Sequence, residues 1–310
     1  MFALSIAENQ SSSPDPACSY QQVIDVAERR VAPLAEPMLK HGASGVAGAA
    51  RAPLAALAVD AMQRRGVVYM IDLAHRKVAR ELTPPGPFLH MALDAAGARI
   101  AYVLVDRVVV VDVASGREVV SVAHEAGRRF AGHVAHCEGY WMVVSSSGRT
   151  WLGTMLSDDG AFTGRVHPMR GEPVEMCGAA AAPVIACSVG RKLIQVIEVV
   201  TGASVVIAAH TAKDAFGAVS LSLTDDGLRV ISRGSDDQRL CVLARGARSA
   251  PELRVVPATT RTMGGREYLT QPGFAVCGDQ LVVVSEGVPS FEPLPVVKIG
   301  ASWAATVRRH

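Results

Sequence analysis

The chain has 310 residues, 49% of them apolar and 19% charged, with a formal net charge of +2. That apolar content excludes a disordered chain and is enough for a large core. The near-balanced charge provides no global field for nucleic acid or an anionic membrane, and no apolar run reaches the 18 residues of a bilayer-spanning helix.

Met1 to Gln10 lacks a basic n-region and does not read as a secretory leader. Strands are predicted at Phe2–Ala7, Tyr20–Ala27 and Val31–Leu34, with a Ser- and Pro-rich linker at Asn9–Ala17. Residues 33–61 are Ala-rich and have room for a turn of helix, but Gly42, Gly45 and Gly48 oppose a long one. An apolar, β-branched run follows at Val67–Leu73. The next unit is legible in full, with strands at Leu89–Leu93, Arg99–Leu104, Val108–Val113 and Glu118–Val122. Asp94–Gly97, Asp106-Arg107 and Ala114–Arg117 join them. Asp and Gly suit these turns because Asp bonds its own backbone and Gly adopts positive φ. Similar runs recur at Thr150–Leu156, Leu193–Val199, Arg239–Leu243 and Leu294–Ile299, the last after a predicted Pro- and Gly-rich loop at Gly287–Pro293. Ala301–Val307 is the last predicted strand.

The runs repeat. Counting Gln22–Val26, there are seven copies at intervals of 40 to 56 residues, and four of them close on an acid: Asp25, Asp72, Asp112 and Glu198. The intervals are too short for strands alternating with helices of 10–12 residues and suit about four short strands per unit. Ala101-Tyr102-Val103 through Val119-Val120 resembles a YVTN-type repeat. His210, then Val219 to Gly227, then Val230 to Asp237 resembles a WD repeat, and Gly132-His133 stands where such a repeat carries its Gly-His pair. The Trp-Asp dipeptide is missing, with Leu243 where the Trp would stand. The resemblance implies an all-β, seven-bladed β-propeller of four-stranded antiparallel blades, one domain over 1–310. Its ring would be closed by a blade shared between residues 1–35 and 301–310.

Six cysteines, Cys18, Cys137, Cys177, Cys187, Cys241 and Cys277, form no CxxC pair. They read as reduced structural residues, and the compartment as cytoplasmic or another reducing intracellular one. His133-x-x-His136-Cys137 is the most ligand-like cluster, but strand alternation sends His136 away from the other two. A metal would need a neighbouring strand, with His90 and His133 as the weak candidates; no cofactor is expected. No GxSxG, phosphate loop or GxGxxG occurs, so no catalytic residues are assigned. Asp158-Asp159, Asp225-Asp226 and Asp236-Asp237 read as turn acids, and Trp141, Trp151 and Trp303 as core.

The alternation of propeller loops predicts a basic face carrying Arg64, Arg65, Arg107, Arg128, Arg129, Arg149, Arg191 and Lys192, opposite a face with Asp94, Glu138, Asp158 and Asp159. Such a face suits another protein, an acidic one in particular. The scarcity of loop aromatics argues against nucleic acid, and a small-molecule ligand is left open. The expected function is a non-catalytic scaffold for protein–protein interaction within a larger assembly. The alternatives are a lyase, lactonase or hydrolase using His90, His133, Glu175 or Glu267 in a central channel, and a structural component of a virion or other particle.

Overall fold

The computed structural model describes residues 2–7, 20–25, 28–34, 43–59, 66–123, 128–159, 161–189, 193–208, 217–224, 227–233, 237–244, 252–257, 259–263, 266–270, 273–277, 280–285 and 288–293. They contain strands and turns and no helix, so none is long and apolar enough to cross a membrane. The chain divides into two compact units, Met1–Val166 and His167–His310.

The first unit opens with a three-stranded sheet, β1 (Phe2–Ala7), β2 (Tyr20–Asp25) and β3 (Arg30–Pro33). Four-stranded antiparallel sheets follow. The first is β4 (Ala43–Gly48), β5 (Leu54–Val59), β6 (Val67–Asp72) and β7 (Lys77–Leu82). The second is β8 (Phe88–Leu93), β9 (Arg99–Leu104), β10 (Arg107–Asp112) and β11 (Glu118–Ala123). The third is β12 (Arg129–Cys137), β13 (Tyr140–Ser147), β14 (Thr150–Ser157) and β15 (Phe162–Met169), which runs across the unit boundary.

The second unit continues with β16 (Pro173–Gly178), β17 (Val184–Val189), β18 (Leu193–Glu198) and β19 (Ser204–Ala208), and with β20 (Gly217–Thr224), β21 (Gly227–Arg233), β22 (Asp237–Ala244) and β23 (Glu252–Pro257). A hairpin, β24 (Thr259–Met263) with β25 (Arg266–Thr270), precedes the three-stranded β26 (Gly273–Cys277), β27 (Gln280–Ser285) and β28 (Val288–Pro293). Every sheet runs in strict sequence order.

The unit predicted at 89–122 coincides with β8–β11, and the recurrent runs fall on β2, β6, β10, β14, β18 and β22, the third strand wherever a sheet has four. The described part of the Ala-rich stretch forms β4 and β5. Two expectations need correction. The supposed Pro- and Gly-rich loop is largely strand, because β28 pairs along its length with β27. Its prolines sit on an edge strand among the described residues, where a missing N–H breaks no ladder. The wide last interval also holds the β24–β25 hairpin, which the period did not anticipate. Leu294–Ile299, Ala301–Val307 and Trp303 lie outside the described residues, and so does the ring closure.

Burial explains the apolar runs. In β9, Ile100, Tyr102 and Leu104 pack against Ala56, Met70 and Leu82 of the preceding sheet. Ala101 and Val103 pack on the other face against Val134, Trp141 and Leu156 of the following one. A strand covered on both faces has no polar position to offer, so periodicity two is lost. Among the fourth strands, β11 and β15 mix exposed positions with buried or half-buried ones, and β7 is exposed apart from Val78 and Leu82.

Candidate functional site

The turns at the ends of the third strands follow one design. Asp25, Asp72 and Asp112 each accept a hydrogen bond from the N–H three residues on, at 3.3, 3.0 and 2.7 Å. Glu198 accepts from the Thr201 hydroxyl at 2.8 Å. The residue four positions after each acid has positive φ: Arg29, Arg76, Gly116 and Gly202. The Ser115 hydroxyl and N–H hold the Asp112 carboxyl below the usual carboxylate range. Burial pushes the Asp72 carboxyl up, and hydrogen bonds from the His75 N–H and ring outweigh it, for a net lowering. Turns between first and second strands use the same chemistry: Asp94 accepts from the Ala98 N–H at 2.7 Å, and Gly97 takes φ 71°.

At the same end of the third sheet, His136 is almost fully buried. Its Nε2 lies 2.7 Å from Asp158 Oδ1, and its ring meets Trp141 edge-on at 4.6 Å. The Ser157 hydroxyl and the Ala161 N–H hold Asp159 low, and an Arg99 guanidinium donates to the Asp158 carbonyl. Of the acids predicted to form one face, Asp94 and Asp159 bond turn groups, Asp158 bonds His136, and Glu138 is exposed.

The opposite edge differs. Arg107 begins β10 and bonds Asp106 at 3.1 Å. Its cross-strand partner is Ala123, which shares a cavity with Arg128. Arg129 pairs with Ser146 beside the β13–β14 turn that carries Arg149. Arg107, Arg128, Arg129 and Arg149 thus share one edge of two neighbouring sheets. The Arg129 and Arg149 side chains are exposed and make no hydrogen bond or ion pair among the described residues. Arg64, Arg65, Arg191 and Lys192 lie outside the described residues.

The His–Cys cluster disperses. Gly132, at φ 75°, falls where the β12–β13 register shifts, and a Cβ there would stand 3.2 Å from that of Leu89. The shift sets His133 beside His90, with ring centroids 5.9 Å apart. Burial, and then the His133 charge, push the His90 imidazole down to about 4. The two histidines named from sequence are neighbours, but no group of three metal-ligating side chains exists among the described residues. Cys137 and Cys187 are buried thiols pushed up by burial, Cys187 to about 12. Trp141 is core as expected; Trp151 is only half-buried.

The sequence matches no family model and no curated protein. In structure the chain is similar to the β-propeller domain of Cps50 (Swd1) from Myceliophteria thermophila, with a TM-score of 0.58 and 10% identity over 95% of this chain and 100% of that one. The fold is a β-propeller. Hydrazine synthase of Kuenenia stuttgartiensis is similar at a TM-score of 0.60 and 9% identity, over 90% of each chain. A protein from Lactobacillus plantarum is similar at 0.61 and 13% identity, over 94% of this chain and 92% of that one. Identities this low carry the architecture and no activity.

The first unit of the propeller holds a feature missed in the sequence. A small cleft of about 80 Å³, partly open to solvent, lies between the β8–β11 and β12–β15 blades. Val108, Val122, Phe130, Val143 and Leu156 form its walls; its polar residues are Arg128, Ser145 and Thr154. The Ser145 hydroxyl is buried and has no hydrogen-bond partner. The signal available in the sequence was Phe162 and Val166, large apolar residues on a fourth strand, which the structure leaves exposed at the cavity.

Proposed function

We propose that this chain is a seven-bladed, non-catalytic interaction platform, a single domain over 1–310 whose first and last strands share a blade. It docks an acidic protein surface through Arg107, Arg128, Arg129 and Arg149 inside a reducing cell compartment. The observation that carries this reading is the contrast between the two edges. Asp94, Asp112 and Asp159 at one edge bond turn groups and Asp158 bonds His136, whereas the Arg129 and Arg149 side chains at the other are exposed and unpaired among the described residues. Guanidinium forks suit carboxylate partners. Seven apolar runs at intervals of 40 to 56 residues support the blade number, and the same four-stranded sheets in both units support one domain. Lyase, lactonase or hydrolase chemistry, and a place in a virion or other particle, have no observation among the described residues in their favour.

The test is purification of the tagged protein from its native cell at low and at high salt, read by mass spectrometry, beside the Arg129→Glu/Arg149→Glu variant. A stoichiometric partner is expected at low salt, lost at high salt and absent with the variant, whose melting temperature stays within a few degrees. A partner held equally by the variant overturns the basic-edge reading.

A further inference from the structure

The outer strands β7, β11 and β15 differ in what they show to solvent. Charged side chains on a sheet edge keep it from associating with other chains. β7 exposes Lys77, Arg80 and Glu81, and β11 exposes Glu118 and Ser121 beside Val119 and Ala123. β15 exposes Phe162, Gly164, Val166 and Pro168, none of them charged. Phe162 is 53% exposed and Val166 38%. Both border the cleft between the two blades, together with the half-buried Val122 and Phe130. The floor of the cleft, Val108, Val143 and Leu156, is buried, so an occupant lies on the surface, over the two exposed side chains. A groove this shallow does not enclose a small ligand. It suits one extended chain segment that lays an apolar side chain across it. Charge differs along the groove. Arg128 and Ala123 line it at the arginine-bearing edge. At the other end, Phe162 follows the turn in which Asp159 accepts from the Ala161 N–H. An acidic segment is attracted to the first end and repelled from the second, which fixes its direction.

We propose that this groove holds an acidic, extended segment of the partner protein, an assignment that rests on the docking function proposed for the basic edge. One bulky apolar side chain of the segment lies across Phe162 and Val166, and the carboxylates beside it face Arg128. Arg128 has contacts of its own within the protein, and a guanidinium has five N–H donors to distribute. Covering Phe162 and Val166 takes apolar surface out of water and supplies affinity; the arginines supply direction and rate of encounter. The groove thereby selects among acidic proteins for those with an apolar residue next to their acids.

Selection of a displayed library of random dodecapeptides against the full chain tests it. Enriched sequences should share a bulky apolar residue flanked by Asp or Glu, and a synthetic peptide of that sequence should bind saturably by fluorescence anisotropy. Phe162→Ser/Val166→Ser should weaken it about tenfold or more, and Arg128→Gln about threefold or more. Both variants change surface positions of β15 or the groove end, and melting temperatures should stay within a few degrees. Replacing the peptide's acids by their amides, or its apolar residue by Ala, should each weaken binding about tenfold. No enrichment, enriched peptides without the acids or the apolar residue, or an affinity untouched by Phe162→Ser/Val166→Ser would each overturn the proposal. A dimer of the free chain that the same double variant breaks would overturn it in favour of a second copy. The native partner separates this proposal from the basic-edge reading. A partner lost with Arg129→Glu/Arg149→Glu but held by Phe162→Ser/Val166→Ser overturns the groove and keeps the basic edge; the reverse pattern keeps the groove and overturns the edge.

Discussion

Arg76 stands at φ 56° in the turn after β6, the place that Gly116 and Gly202 fill in the turns after β10 and β18. A side chain in the left-handed region strains the backbone by about 1 kcal/mol, which glycine avoids. Arg76→Gly should therefore raise stability by about 0.5–1 kcal/mol in a urea titration, although it removes a side chain and adds chain entropy. The acid four residues earlier was visible in the sequence as the mark of the repeat. Its role in accepting the turn N–H was visible only as a propensity, because Arg29 and Arg76 hide the conformation that two glycines reveal. The pH response also belongs to single residues. The folded His90 imidazole titrates near 4, below its usual 6.5, so between those values the unfolded chain binds a proton that the native one refuses. Stability should fall by about 3 kcal/mol as pH drops from 6.5 to 4, then stop falling on this account. Asp112 acts below that window: its lowered carboxyl contributes stability above the unfolded value near 4, lost as pH falls through the folded one. His90→Phe should flatten the upper part of a stability–pH curve and leave the lower part unchanged.

At the scale of the strand, position within a sheet decides tolerance. Ala101, in a second strand, is 0% exposed between two blades, whereas Val119, in a fourth strand, is 44% exposed. Ala101→Leu should cost about 1–3 kcal/mol by overpacking, and Val119→Thr should stay within about 0.5 kcal/mol, both read as shifts in denaturant midpoint at constant slope. Gln195 is one of the few polar residues in the described interior, with Ser145, His167 and Ser188. Buried in β18, it donates from Nε2 to the Pro168 carbonyl at 3.0 Å and accepts at Oε1 from the Arg170 N–H at 3.0 Å. Gln195→Leu leaves both backbone groups unmet and should cost about 1–3 kcal/mol in the same titration. Strand existence was legible because covering both faces turns whole runs apolar. The β24–β25 hairpin was not, because Thr259–Met263 and Arg266–Thr270 lack such a run. The cavity was also illegible: it arises where β11 meets β13–β15, and no local spacing encodes a distance between sheets.

For the whole chain, the period spoke to architecture and the charges to little else. A net charge of +2 conceals an uneven local distribution. It becomes visible only once the turns have taken up their acids, which is why Arg129 and Arg149 could be named from loop alternation but not distinguished from ordinary solvated arginines. The unpartnered Ser145 hydroxyl is likewise a property of packing. The strictly sequential order of every described sheet has a further consequence. Among the described residues, each sheet draws its strands from one continuous stretch of chain. Its pairing therefore needs only short loops to close. During synthesis each stretch can form its sheet as soon as it clears the ribosome, and in the first unit β8–β11 and then β12–β15 meet an apolar face already in place. The growing end is then a template that moves with translation, and a pause at the wrong codon exposes one sheet face rather than a whole unfolded domain.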